Sequence, residues 1–202
     1  MSSLTVVTAA SGLAVSVADA KAHAVIEHAH DDGLIVDMIR AATQYIEGVT
    51  GIQTLSTTLR YTLDDWPCDA TIRLPRYPVS AVSSVKYMAS AGVLSTISSS
   101  AYQVDTYGSP ARIVPAVGAT WPTVLSGTIN GVQVEFVAGY GSTADSVNQQ
   151  VKAAIIRLAA HYYENRELQG DGNTGPAKSP YNELPQAVMR LLDGVRMAEL
   201  CL

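Results

Sequence analysis

A cluster of histidines and aspartates near the start of the chain could bind a metal. His28, His30, Asp31 and Asp32 are nearly consecutive, and His23 precedes them. Imidazole and carboxylate groups together can bind a divalent metal, so one hypothesis is a metal-dependent hydrolase using His28, His30 and Asp31. A structural zinc usually needs about four well-placed ligands, however, and this segment is short. We therefore favour a solvated break between two helices, in which Asp31 or Asp32 caps the second helix.

Other polar groups of the chain also suggest acid–base chemistry. Asp64, Asp65 and Asp69 could act as paired carboxylates, but they sit where a turn closing a hairpin is expected. Ser142 lacks the G-x-S-x-G context of a nucleophile elbow. The mixed polar and aromatic run at 161–167 fits a hydrogen-bonded helix end. The sequence therefore predicts no catalytic residue, no metal ligand and no cofactor.

Composition narrows the possible classes of protein. The chain has 202 residues, of which 48% are hydrophobic and only 15% charged, so it can fold around a core and has a largely neutral surface. A net charge of −5 is unlike that of a protein that grips DNA phosphates. Cys68 and Cys201 are far apart and do not indicate a disulfide framework. We see no signal peptide and no apolar run long enough to span a membrane, so we expect a cytosol-like compartment.

Two amphipathic helix patterns open the chain and two more close it. Ser16 is an N-cap candidate for helix 1, predicted over Val17–Glu27. Helix 2 is expected to end at Gly51, and its apolar residues recur every three or four positions. Its predicted stripe comprises Leu34, Ile35, Met38, Ile39, Ala42, Tyr45, Ile46 and Val49. Helix 3 is predicted over Asp145–Glu167 and helix 4 from about Pro185, with a Gly- and Pro-containing loop at 169–183 between them.

The middle of the chain has short alternating patterns typical of β-strands, separated by Gly, Pro and Asn turns. Six segments are predicted as strands: 58–63, 71–74, 79–88, 102–105, 111–114 and 132–137. They favour a small antiparallel sandwich or barrel. Residues 1–15 are expected to be an extended arm. We therefore predict an α+β fold, a bundle of about four helices formed by residues 1–52 and 142–202 with a β domain at 53–141 inserted between helices 2 and 3.

Several stretches in a fixed order resemble one known family, the head–tail connector (adaptor, head completion) proteins of tailed bacteriophages and gene transfer agents. They span roughly residues 18 to 192. The residues that carry the resemblance are Ala18–His23, Asp31-Asp32-x-Leu34-Ile35, Ile72–Pro75, Pro78-Val79, Val82-x-x-Val85, Ala101–Asp105, Ala111–Pro115, Trp121-Pro122, Val134-x-Phe136-x-Ala138–Gly141, Lys152–Ile155, His161-x-Tyr163–Glu167 and Leu184-Pro185. The resemblance implies a helical bundle with an inserted β domain. It also implies a homo-oligomeric ring, a dodecamer in most members, beneath the portal protein.

The sequence and the resemblance together favour a structural adaptor of a phage virion, with no enzymatic activity. Its expected partners are copies of itself, the portal protein and a tail-side stopper or tail terminator, while genomic DNA passes without tight binding. We expect it at the head–tail interface of the virion, and in the host cytoplasm during assembly. A narrow stripe on helix 4 is predicted to dock on the portal or to cap its own bundle; it comprises Leu184, Val188, Leu191, Leu192 and Val195. A hydrolase and a carbohydrate-binding β module on a helical stalk remain alternatives.

Overall fold

The computed structural model describes residues 1–164 and 186–195. These divide into two compact units. The β unit comprises Met1–Ser11 and Gly51–Ser142, and the helical unit comprises Gly12–Thr50 with residues 143–164 and 186–195. Strands β2 to β8 lie between the second and third helices, as the sequence predicts, and one further strand precedes the first helix, so the α+β class is confirmed.

The β unit contains two antiparallel sheets. The larger has the strand order β1-β2-β8-β4-β5, and the smaller has the order β3-β7-β6. The strands are β1 (Ser2–Thr8), β2 (Thr57–Leu63), β3 (Ile72–Arg73), β4 (Val79–Ser90), β5 (Val93–Thr96), β6 (Tyr102–Asp105), β7 (Arg112–Pro115) and β8 (Val132–Ala138). Six of them match the predicted segments, with ends that differ by a residue or two. The pattern missed β1 and β5, the two edge strands of the larger sheet.

A single hydrophobic core holds the two sheets together. The central strand β8 alternates strictly, so that Val132, Val134, Phe136 and Ala138 are fully buried. From the smaller sheet, Ile72 and Ile113 enter the same cluster. Because residues of both sheets share this cluster, the β unit is a sandwich with an interior of its own.

The N-terminal residues differ from their predicted place in the helical domain. β1 pairs with β2 in antiparallel register, with Ser2 opposite Leu63 and Val6 opposite Leu59. Backbone hydrogen bonding to β2 therefore holds residues 1–11 in the β unit, although the sequence placed them with the helices. An isolated extended arm has no periodicity that identifies its partner strand. The other predicted domain boundaries stay a prediction.

The helical unit contains α1 (Val17–Ala24), α2 (Asp32–Thr50), α3 (Gln149–Glu164) and α4 (Gln186–Asp193). Ser16 caps α1 as predicted, since its Oγ accepts a hydrogen bond from the Asp19 N–H at 3.0 Å. The helix ends before the predicted Glu27 because Val25 adopts a left-handed conformation with φ of 55°. Gly51, with φ of 74°, follows α2 as predicted.

The third helix begins later than predicted, whereas the fourth begins next to its predicted start near Pro185. A short 3-10 turn occupies Ala144–Ser146, and α3 begins only after Asn148, whose Oδ1 accepts a hydrogen bond from the Gln150 N–H at 2.8 Å. The buried residues of α3 form one stripe: Val151, Ala154, Ile155, Leu158 and Ala159. Helix 4 begins at Gln186. The predicted loop at 169–183 and Leu184 lie outside the described residues.

Candidate docking surfaces

The histidine-rich segment between α1 and α2 does not assemble into a metal centre. His23, His28 and His30 are exposed. The Tyr163 hydroxyl donates to Asp31 Oδ2 at 2.6 Å, and Lys21 Nζ lies 2.7 Å from Asp32 Oδ1. Among residues 1–164 and 186–195, no group of at least three His, Cys, Asp or Glu side chains is placed to hold a metal ion. The two aspartates therefore join α2 to α3 and α1.

The aspartates after β2 stabilise turns of the β unit. Asp64 accepts hydrogen bonds from the Met1 ammonium at 2.7 Å and from the Asn130 N–H at 3.0 Å, and these bonds lower the pKa of its carboxyl. Asp69 is ion-paired with Arg73 at 2.7 Å, and the hydrogen bond from Arg73 lowers its pKa. Asp65 Oδ1 accepts from the Trp66 N–H at 2.8 Å. Each carboxylate has its own partner, so these groups do not form a shared acid–base pair.

Two tryptophans of the β unit bear on the carbohydrate hypothesis. Trp66 and Trp121 stack with ring centroids 4.5 Å apart and planes inclined by 6°. Their Nε1–H groups donate to the carbonyls of Pro122 at 2.7 Å and Ala70 at 2.8 Å. Since each ring covers one face of the other and both donors are bonded to backbone, the pair fastens two loops together. Nothing in this geometry favours a sugar platform.

The second helix has apolar residues on an outer side as well as on its buried side. Its apolar residues include an inner stripe, in which Ile35, Ile39, Ala42 and Ile46 are buried, and an outer one. The outer stripe is displaced by one residue, roughly 100° around the helix. It consists of Leu34, Met38, Ala41 and Tyr45.

The outer stripe of α2 lines an open groove within the helical unit. With Asp37, Gln44 and Tyr162, it borders a volume of about 700 Å³. Leu34 and Tyr45 are each 38% exposed. A run of apolar side chains along three helical turns is typical of a protein-docking surface, and this groove has few polar groups to orient a small ligand.

Comparisons with known proteins give the context of this surface. A family model for the phage gp6-like head-tail connector protein matches residues 14–110. A chain from the neck of an empty gene transfer agent particle, determined with C6 symmetry, is 28% identical with a TM-score of 0.78, covering 98% of this chain and 97% of that chain. A chain in the virion of a native gene transfer agent particle is 27% identical with a TM-score of 0.77, covering 98% of this chain and 96% of that chain. A chain from the neck of a native gene transfer agent particle, determined with C12 symmetry, is 28% identical with a TM-score of 0.76, covering 98% of this chain and 97% of that chain. No curated protein matches the chain.

The predicted resemblance is therefore confirmed. The family model and the neck structures together support a structural head–tail connector role of the phage and gene transfer agent kind. Because two of the matched chains come from particle necks and cover nearly the whole connector, the likeness extends to both units. A structural role agrees with carboxylates that are used in turns and between helices.

Two of the four described residues of the predicted docking stripe are buried inside the connector's helical unit. Val188 is 1% exposed and Leu192 is 3% exposed, whereas Leu191 and Val195 are half-buried. Helix α4 packs against α3. Val188 and Leu192 therefore cap the connector's own bundle, while docking on the portal stays a prediction that concerns Leu191 and Val195.

Sequence reasoning missed the outer stripe of α2 as a separate surface. Three of its members, Leu34, Met38 and Tyr45, were placed with the inner residues on one face, because spacings of three and four are satisfied by both sets. The adjacent apolar pairs Leu34-Ile35, Met38-Ile39 and Tyr45-Ile46 indicate this second surface. They make the apolar surface of the helix about twice as wide as packing against one neighbouring helix requires. In the part of the connector that the structure describes, no helix combines the length and apolarity needed to span a membrane.

Proposed function

We propose that the connector forms a ring beneath the portal, links the DNA-filled head to the tail and leaves a passage for DNA. The observation that carries this proposal is the match to neck chains over 98% of the connector at a TM-score of 0.78. Those necks were determined with C6 or C12 symmetry, and a ring of this chain, a dodecamer as the family resemblance implies, follows by analogy. Assembly takes place in the host cytoplasm, and the finished ring lies at the head–tail interface.

Two properties of the chain support a passage for DNA and docking on neighbours. Its net charge of −5 repels phosphate, so a ring of such chains does not retain the DNA that crosses it. The half-buried Leu191 of α4, with the half-buried Val195 just after the helix, offers apolar area for the portal beside the buried residues of α4. The opposite face of the ring receives a stopper or tail terminator protein.

Binding to capsids with and without the portal tests this proposal. The purified connector should co-sediment with portal-bearing capsids and not with portal-free ones. Electron microscopy of the bound complex should show a closed ring on the portal. Equal binding to both kinds of capsid, or a stable free dimer that does not bind the portal, would contradict the proposal.

Variants of two adjacent leucines test the role of α4. Leu191→Asp should leave thermal unfolding close to that of the parent and weaken co-sedimentation, because Leu191 is only half-buried. Leu192→Asp should unfold the helical unit, since it places an unpaired charge at a position that is 3% exposed. If folded Leu191→Asp binds portal-bearing capsids like the parent, α4 does not dock on the portal.

A further inference from the structure

The outer stripe of α2 is an apolar surface that its own unit leaves open in the described part of the chain. Leu34, Met38, Ala41 and Tyr45 succeed one another along three helical turns, and of the two stripes of α2 only the inner one is buried in the core of the unit. The charged residue on this groove is Asp37, whose side chain is 74% exposed. Arg40 lies 3.4 Å from Asp37 but outside the lining of the groove. The groove is therefore apolar with an acidic rim.

The third helix has a side of complementary character. Its buried residues occupy one stripe, whereas Lys152, Ile156 and Arg157 lie off that stripe at partly or fully exposed positions. At roughly 100° per residue, their mean direction is nearly opposite to the buried stripe. This basic side of α3 combines one apolar side chain with two positive charges.

Rings of more than two copies require two different surfaces on each copy. In a cyclic assembly the contact is heterologous, so one patch receives and another inserts, and the two must lie apart on the same protomer. The acidic groove of α2 and the basic side of α3 belong to the same compact unit and differ in charge. Opposite charges at the rim of an apolar contact fix the register of two partners.

We propose that the groove of α2 receives the basic side of α3 from the next copy of the connector. This proposal rests on the ring of the proposed function and names the contact that closes it. In it, Ile156 of one copy enters the groove between Met38 and Tyr45 of its neighbour, and Arg157 or Lys152 approaches Asp37. A second copy fits better than nucleic acid, because the groove is apolar and its rim is acidic.

Photo-cross-linking identifies the occupant of the groove. The variant Ala41→Cys, with Cys68→Ser and Cys201→Ser, is labelled with a benzophenone maleimide, mixed with an isotope-labelled copy and assembled on portal-bearing capsids. The expected cross-linked peptide joins position 41 to residues 149–164 of the other copy. A cross-link to the portal, to residues 165–185 of the same chain, or to α2 of a second copy would overturn the proposal.

A charge exchange tests the pairing itself. At connector concentrations well below saturation, Asp37→Arg and Arg157→Asp should each lower the number of copies bound per capsid by about tenfold, which corresponds to a tenfold loss of affinity. The double variant should recover most of the parent's occupancy. Glu27→Arg, at an exposed position between α1 and α2, is the matched control and should bind like the parent. Thermal unfolding of every variant should match that of the parent.

The outcomes separate this proposal from the one on which it rests. If the parent connector fails to bind portal-bearing capsids, the proposed function fails. If the parent forms the ring while both single charge variants form it equally well, or the double variant is no better than the singles, the assignment of this contact is wrong and the ring stands.

Discussion

The β unit and the helical unit differ in the pairing of their charged side chains and in the distribution of their exposed apolar side chains. In the β unit, directly opposed residues pair across strands: Arg60 binds Glu135 at 2.6 Å and Arg112 binds Asp105 at 2.9 Å. Its exposed large apolar residues are spread over edge strands and loops. In the helical unit, Leu34 and Tyr45 lie along one continuous groove of α2.

This difference indicates a division of roles within the connector. A unit whose core is enclosed by two sheets and whose charges are paired internally has little need of a partner to be stable. A helix with apolar residues on two adjacent sides reaches its lowest free energy when a neighbour covers the second side. We therefore assign copy-to-copy docking to the helical unit, and the following predictions test that contrast.

The largest effect is expected in the core of the β unit. Phe136 is fully buried at the centre of the cluster that both sheets share. Phe136→Ala should reduce the free energy of unfolding by about 3–5 kcal/mol, through lost transfer energy and a cavity. Chemical denaturation with a probe of β structure measures it. A loss below about 1 kcal/mol would show that the two sheets do not share a tightly packed core.

Neighbouring residues of α2 should respond very differently to the same truncation. Ile39 is 0% exposed and Leu34 is 38% exposed. Ile39→Ala should lower the free energy of unfolding by about 2–5 kcal/mol. Leu34→Ala should change it by about 0.5 kcal/mol or less and reduce ring formation on the portal, because its side chain faces the groove. Equal destabilisation by both variants would mean that the outer stripe is part of the monomer's core.

A glycine of the β unit can be compared with a matched control. Gly139 has φ of 131°, and an added Cβ would collide with the backbone of Leu55 and Ser56. Gly92 has φ of 75°, and nothing lies within 4 Å of the position that an added Cβ would take. Gly139→Ala should therefore cost about 1–3 kcal/mol more than Gly92→Ala in a denaturation series. Similar costs would show that the β8 end has room to move.

Local patterns gave most of the fold before the structure. The strict alternation of β8 and the Ser16 cap of α1 are features of a few consecutive residues, and both were predicted correctly. The edge strand β1 was missed because its register depends on Leu59 and Leu63, more than fifty residues away. The end of α1 was missed because a β-branched residue such as Val25 rarely takes the left-handed conformation.

The candidate surfaces were predicted only in part. The α4 stripe was recognised, but periodicity does not reveal whether a residue such as Val188 contacts its own unit or a partner. The groove of α2 is lined by Tyr162 of α3 as well as by Tyr45, a tertiary arrangement that no local pattern encodes. Assignment of such surfaces requires the packed unit.

A smaller effect is expected from acid on the β unit. The hydrogen bond from Arg60 lowers the pKa of Glu135, and that from Arg112 lowers the pKa of Asp105. A lowered folded-state pKa contributes stability above the unfolded value, near 4.3 for Glu, and that stability is lost as pH falls through the folded value. Glu135→Gln should remove about 0.2–1 kcal/mol at pH 7 and flatten the decline below about pH 4.5. A pH series of denaturation curves that is identical for both proteins would contradict this.

The smallest effect is expected at the histidines that first suggested chemistry. His28 and His30 are exposed, and Asp31 beside them accepts the Tyr163 hydroxyl. Replacing both histidines with alanine should change the free energy of unfolding by less than about 1 kcal/mol, as surface substitutions usually do. Ring formation on the portal should persist, because the outer stripe of α2 is untouched. Metal analysis of the purified protein provides the decisive measurement. Stoichiometric zinc that disappears in the double variant would show that this segment binds a metal, and it would contradict the division of roles between the two units.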